Sequence, residues 1–137
     1  MSNINVFIRN VESSRKRTGV LYCPGSFNSV IEVFKENIHD IKLLDCTVLF
    51  KRTLTFSASE LLNQIENESK ESTTIVLNIE TFIVSNSHNF SDQLAKILII
   101  REPIKPLFFL FYSKKIFRQF KEHFEVKELN SQNILEL

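Results

Sequence analysis

Three short runs of apolar residues constrain the fold of this chain most strongly. They are Val20–Cys23, Thr73–Ile79 and Leu107–Tyr112. Each run has the length of a strand, and each is nearly continuous in apolar or β-branched residues, which is typical of strands covered on both faces. Helical patterns separate the runs. This alternation predicts an α/β fold, a three-layer sandwich with a mostly parallel five-stranded sheet.

The remaining elements fit the same architecture. Further strands are predicted at Leu43–Phe50 and, for the last edge, at Val126–Leu129 or Ile134–Leu137. The predicted helices begin near Ser29, at Ser57 in a capping box with Glu60, at Asn89 or Ser91, and shortly before Phe117. The length of 137 residues predicts one domain over residues 1–137, with residues 1–18 as a leading arm or helix.

Composition and charge indicate a cytoplasmic protein. The formal net charge of +1 gives no overall attraction to nucleic acid or to membranes. The longest apolar run, Leu107–Tyr112, is far shorter than the ~20 residues that cross a bilayer. Cys23 and Cys46 lie in apolar runs without a Cys-x-x-Cys pair, so we expect buried free thiols in a reducing compartment. No membrane contact, metal or cofactor is expected.

The segment Tyr22–Ser29 has the setting of a phosphate-binding loop but lacks its chemistry. Such a loop has the form G-x-x-x-x-G-K-[ST] between a strand and a helix. Here Tyr22 and Phe27 replace the two glycines, and Asn28 replaces the lysine. The residues that still fit are Pro24, Gly25, Ser26 and Ser29. Without the lysine the loop is not expected to bind or hydrolyse a nucleoside triphosphate, and the simpler interpretation is a strand-to-helix turn.

A second damaged element follows the middle strand. In Ile75–Glu80 the apolar run lacks the aspartate that would hold a metal, because Leu77 or Asn78 stands in its place. Glu80 remains, and its ordinary interpretation is a solvated carboxylate at a strand end. The loop and this second run stand at the separation expected in a P-loop domain, and each lacks its charged residue. We therefore interpret Asn78 and Glu80 as remains of a nucleotide site in a sheet of P-loop NTPase type.

With these features, residues 18–129 resemble a reduced AAA-type P-loop domain. Among such domains the chain is similar to the small P-loop proteins encoded with BREX-type phage-defence systems. The resemblance rests on Pro24-Gly25-Ser26, Ser29 and Asn78-Ile79-Glu80. It implies a role in an antiviral or DNA-associated complex. The departures at Asn28 and Leu77 imply that the chain is not an enzyme, so we expect an interaction or assembly module that binds protein partners or itself.

Two alternative functions stay open at this stage. The first is nucleic-acid binding through a basic helix face close to Tyr112, although such a face is ordinarily only solvated. Its residues are Lys114, Lys115, Arg118 and Lys121. The second is a metal-dependent nuclease, since Glu125-Val126-Lys127 has the E-x-K form of some nucleases, but no aspartate preceded by proline accompanies it.

Overall fold

The fold is known from a computed structural model that describes residues 2–25, 27–48, 58–85, 93, 105–126 and 131–137. The helices in these ranges are α1 (Ser2–Ser13), α2 (Phe27–Asn37), α3 (Ala58–Glu68), α4 (Glu80–Ser85) and α5 (Lys114–Val126). The strands are β1 (Thr18–Tyr22), β2 (Ile41–Asp45), β3 (Thr73–Leu77), β4 (Leu107–Phe111) and β5 (Ile134–Glu136). A 3-10 turn, Ser131–Asn133, leads into β5.

The strands form one five-stranded sheet in the order β2-β3-β4-β1-β5, and every described pair of neighbours is parallel. In this register Tyr22 of β1 lies between Phe111 of β4 and Glu136 of β5. The predicted α/β class with three layers is therefore confirmed, and the described sheet is parallel throughout.

Helices cover both faces of the sheet. On one face α1 and α2 pack on the strands through residues such as Phe7 and Phe34. On the other face α3, α4 and α5 pack through residues such as Leu61, Phe82 and Phe117. The chain crosses the sheet in one direction from β1 to β2 and in the opposite direction afterwards. Because parallel crossovers are right-handed, this reversal puts α2 on the opposite face from α3 and α5.

The central strand β4 contributes phenylalanine rings to aromatic contacts on both faces of the sheet. All five of its residues are buried, as its continuous apolar sequence predicts. Phe108 contacts Phe7 and Phe34 on one face, with ring centroids 5.8 and 4.8 Å apart. On the other face Phe111 contacts Phe117 and Phe120 at 5.9 and 5.3 Å. Each buried ring contributes about 2–3 kcal/mol to the stability of the fold.

Helix α1 approaches β1 closely at Gly19. A Cβ atom at this position would lie 2.8 Å from both Phe7 Cζ and Val11 Cγ2, and 3.1 Å from Phe108 Cδ1. The leading segment, predicted as an arm or helix, is therefore a helix seated on the sheet, and the missing side chain at Gly19 makes room for it.

Two strands in the structure differ from their predicted bounds. The strand predicted at Leu43–Phe50 is β2, Ile41–Asp45, and residues 46–48 are helical. The reason is that Asp45 Oδ1 accepts a hydrogen bond from the backbone N–H of Thr47, a turn that ends the strand. Of the two alternatives for the last strand, Ile134–Glu136 is correct, because Val126 still belongs to α5.

Other predicted boundaries fall partly outside the described residues. This applies to the cap at Ser57 and to the helix expected from Asn89 or Ser91. The short helix α4 was not expected from the sequence pattern. None of the described helices has the length and apolar character needed to cross a membrane.

Candidate functional site at the carboxyl end of the sheet

The carboxyl ends of β1 and β4 form the place where this fold most readily accepts a ligand. The two strands are neighbours, but α2 follows β1 on one face and α5 follows β4 on the other. In open parallel sheets, ligands bind in the crevice at such a reversal of strand order. At this position the two strand ends are joined by a hydrogen bond, in which Cys23 N–H donates to Phe111 O at 3.0 Å.

The turn between β1 and α2 has the predicted strand–turn–helix order. β1 ends at Tyr22 and α2 begins at Phe27, so the intervening residues number four, with Ser26 outside the described residues. Gly25 has a φ of +87°, a conformation that favours glycine. Phe27 turns toward the core under α1 and α2, where it is half-buried. Pro24, Asn28 and Ser29 are exposed. The turn thus carries exposed polar groups without charge, at the end of the sheet where β1 stops.

The residue that follows β3, Asn78, is bound to the end of β2. Its Nδ2 donates to Asp45 Oδ1 at 2.9 Å, and the same oxygen accepts from Thr47 N and Thr47 Oγ1 at 2.9 and 2.7 Å. Asn78 has a φ of +60°, a left-handed conformation that asparagine tolerates better than most residues. The amide side chain therefore holds two strand ends together.

Glu80 is fully buried, so its interpretation as a solvated carboxylate is wrong. Its Oε2 accepts from the backbone N–H groups of Tyr112 and Ser113 at 2.7 and 3.0 Å, which lie just after β4. Burial raises the pKa of the Glu80 carboxyl, and the two backbone donors oppose that rise. Within the described part of the chain, the other oxygen, Oε1, is buried without a hydrogen-bond partner. Glu80 thus fastens the start of α4 to the start of α5.

The two cysteines are buried thiols, as predicted. Cys46 lies next to the polar groups that follow β2 and β3. Burial, followed by the charges of Asp45 and Glu80, raises the pKa of the Cys46 thiol to about 12. Burial also raises the pKa of the Cys23 thiol. At neutral pH both are therefore protonated, apolar parts of the core. The described residues contain no group of three or more His, Cys, Asp or Glu side chains able to hold a metal.

The basic residues predicted as a nucleic-acid contact lie on α5. Lys114, Lys115 and Arg118 are exposed, and Lys121 is half-buried. Arg118 Nε donates to Glu136 Oε1 at 3.1 Å. This hydrogen bond, followed by the charges of Arg118, Lys114 and Lys121, lowers the pKa of Glu136. Lys114, Arg118 and Lys121 therefore all favour the ionised form of the Glu136 carboxyl on β5.

Some functional candidates were missed in the sequence, and others lie beyond the described structure. Sequence reasoning did not select Asp45 or Glu136, although each stands at the end of a strand that points toward the crevice. For the nuclease alternative, the side chain of Glu125 and all of Lys127 are outside the described residues. No protein-family model matches this chain, and no curated protein sequence matches it.

Proposed function

We propose that this protein is a non-catalytic, P-loop-like module that works by assembly, through self-association or docking on protein partners. The observation that carries the proposal is the chemistry of the β1–α2 turn. The segment Tyr22–Ser29 sits where a phosphate would bind but contains no basic residue. A triphosphate brings several negative charges, and a turn without lysine or glycine framing offers nothing to balance them.

Glu80 supports the same proposal. In a nucleotide-hydrolysing site, a glutamate after β3 would have to face the attacking water. Here its Oε2 accepts two backbone hydrogen bonds from the β4–α5 corner, and the side chain has no exposed surface. A carboxylate engaged in this way stabilises the fold and is not available as a base for a substrate in the crevice.

A groove beside the edge strand β5 is the surface that we propose for a second copy of the chain. It has a volume of about 240 Å³ and is lined by α1 and β5. Its apolar residues are Val6, Phe7, Ile134 and Leu135, and amide side chains such as Asn3 and Asn10 surround them. Val6 is 47% exposed. The described residues that line the groove include no charged side chain, so they would not repel a second copy electrostatically.

The resemblance to small P-loop proteins of phage-defence systems supports an antiviral or DNA-associated complex in the cytoplasm as the setting of this module. The two buried thiols fit a reducing compartment. A phage-plating assay with and without the gene tests the setting. Protection that disappears on deletion is the expected result, and unchanged plating would contradict it.

Titration calorimetry with ATP and magnesium tests the loss of nucleotide chemistry. We expect no binding heat and no phosphate release from the natural chain. The variant Asn28→Lys restores one charge but not the framing glycines, so it too should fail to bind. Micromolar binding with turnover by the natural chain would overturn the proposal.

Sedimentation over a range of concentrations tests self-association. We expect a mass above the 16.0 kDa of one chain, unchanged by ATP, and a shift toward one chain in Val6→Lys. The matched control Val84→Lys changes a valine that is 70% exposed on α4, away from the groove. An unchanged mass in Val6→Lys, or an equal shift in the control, would show that the groove is the wrong surface.

A further inference from the structure

The first two turns of α5 form a concentrated positive surface. The eight residues from Lys114 to Lys121 include four cations and no carboxylate. Phe117 and Phe120, on the other side of the helix, are fully buried against the sheet. Because these two rings fix the rotation of α5, the exposed cations are held on the outside of the molecule in a defined arrangement.

One anion already lies among these cations. The Glu136 carboxylate accepts from Arg118 at 3.1 Å and also interacts with the charges of Lys114 and Lys121. The side chain of Glu136 is 32% exposed and that of Arg118 is 57% exposed, so the ion pair is open to solvent. Arginine binds phosphate and carboxylate oxygens with the same planar set of donors. A phosphate from solution could therefore replace Glu136 on Arg118.

An exposed aromatic ring lies at the same end of the sheet. Tyr112 is 52% exposed and follows Phe111 directly. Phe111 and Glu136 are both paired with Tyr22, one on each side, so Tyr112 stands two strands away from Glu136. Neighbouring strands are about 4.8 Å apart, which puts the backbone at Tyr112 about 10 Å from that of Glu136. Single-strand binding proteins combine a positively charged surface with aromatic rings on which bases stack.

We infer that Tyr112 and the basic side of α5 bind single-stranded nucleic acid, and that Glu136 competes with its phosphates for Arg118. A single strand is favoured over a duplex because only unpaired bases expose a face that can stack on Tyr112. A membrane surface is disfavoured because the apolar side of α5 is buried and cannot insert between lipids. This function goes beyond the proposed assembly role and depends on different residues.

Fluorescence anisotropy with a labelled oligothymidine of about 20 nucleotides tests the inference on the full chain, from about 50 mM salt upward. We expect salt-dependent binding. In the double variant Lys114→Gln/Arg118→Gln the negative slope of log K against log salt should become shallower by about 1.4, because each phosphate contact on a single strand contributes about 0.7. Tyr112→Ala should bind about 5- to 100-fold more weakly at all salt concentrations.

The variant Glu136→Gln tests the competition directly. It keeps the shape of the side chain and removes its charge, so binding should tighten about threefold to tenfold. Lys35→Gln, which neutralises an exposed lysine on α2, is the matched control and should bind like the natural chain. Circular dichroism verifies that each variant is folded.

Several results would overturn the inference. They are an absence of binding at about 50 mM salt, tighter binding of the duplex than of the single strand, and unchanged affinity in folded Tyr112→Ala. Weaker binding by Glu136→Gln would refute the competition. Retention on anionic vesicles without any binding of oligothymidine would assign the basic surface to a membrane instead. Because none of these measurements involves ATP or the α1–β5 groove, the proposed assembly function stands or falls separately.

Discussion

The turn after β1 and the corner after β3 lie at the same end of the sheet but use their polar residues differently. In the turn, Pro24, Asn28 and Ser29 are exposed, and Gly25 supplies a backbone conformation. In the corner, Asn78 and Glu80 are bonded to strand ends and backbone groups 32 to 33 residues away in the sequence. The turn supplies the backbone conformation in front of α2, whereas the corner connects β2, β3 and β4.

This difference matters for how substitutions at the carboxyl end of the sheet affect stability. If the corner retained Glu80 for chemistry, the carboxylate should face the crevice. It is instead satisfied on one oxygen by Tyr112 and Ser113 and hidden from solvent. These contacts of Glu80 stabilise the corner. The comparison therefore predicts large stability effects in the corner and small ones in the turn.

Truncation of the corner carboxylate should have the largest effect. Glu80→Ala leaves the N–H groups of Tyr112 and Ser113 without their acceptor and opens a cavity at a buried position, so we expect a loss of about 2–4 kcal/mol in the free energy of unfolding. Urea denaturation at neutral pH measures it. Glu32→Ala, an exposed glutamate on α2, is the control and should change stability by less than about 0.5 kcal/mol. If the two variants were equally stable, the corner would have no structural role.

The charge of Glu80 should give a smaller, pH-dependent effect. Its pKa in the folded protein is raised above the ordinary value of 4.5, mainly by burial. The folded state therefore holds the proton more tightly than the unfolded state. The resulting stability is fully present below the ordinary pKa and is lost as the pH rises through the folded value. Glu80→Gln has no such proton, so its stability relative to the natural chain should increase from acidic to neutral pH.

Urea denaturation of both proteins at several pH values between about 4.5 and 8 isolates this effect, because all other titrating groups are shared. Parallel stability curves would mean that Glu80 has the same pKa in the folded and unfolded chain. A relative loss for Glu80→Gln at higher pH would reverse the sign and show that the backbone donors outweigh burial.

The sequence allowed the architecture to be predicted better than the corner. Apolar runs such as Leu107–Tyr112 identify buried strands because burial on both faces leaves a continuous local signal. The burial of Glu80 has no local signal, since its partners follow β4, 32 and 33 residues later in the sequence, and its own neighbours look like a strand end. The shortening of β2 depends on one turn at Asp45, and the edge strand β5 depends on where α5 stops. Only the burial of Glu80 depends on a pairing between distant segments. The other two depend on a local turn and on a helix end, which the apolar pattern does not mark.

Asn78 should show an intermediate effect, because it contributes both a hydrogen bond and a left-handed backbone. Asn78→Ala loses the bond to Asp45 and strains a residue with φ of +60°, for an expected cost of about 1–3 kcal/mol. Asn78→Gly loses the bond but relieves the strain, so it should cost less. Denaturation of the pair separates the two contributions. A glycine variant less stable than the alanine variant would contradict the assigned backbone role.

The turn should give the smallest effects, and only its glycine should matter. Gly25→Ala must place a side chain at a φ of +87°, which costs about 1–2 kcal/mol even though no atom of the described residues beyond its two chain neighbours lies within 4 Å of the new Cβ. Ser29→Ala, exposed in the first turn of α2, should stay within about 0.5 kcal/mol. The same denaturation assay compares them. If Ser29→Ala proved as costly as Gly25→Ala, the serine would have a bonded role like Asn78, and the contrast between turn and corner would fail.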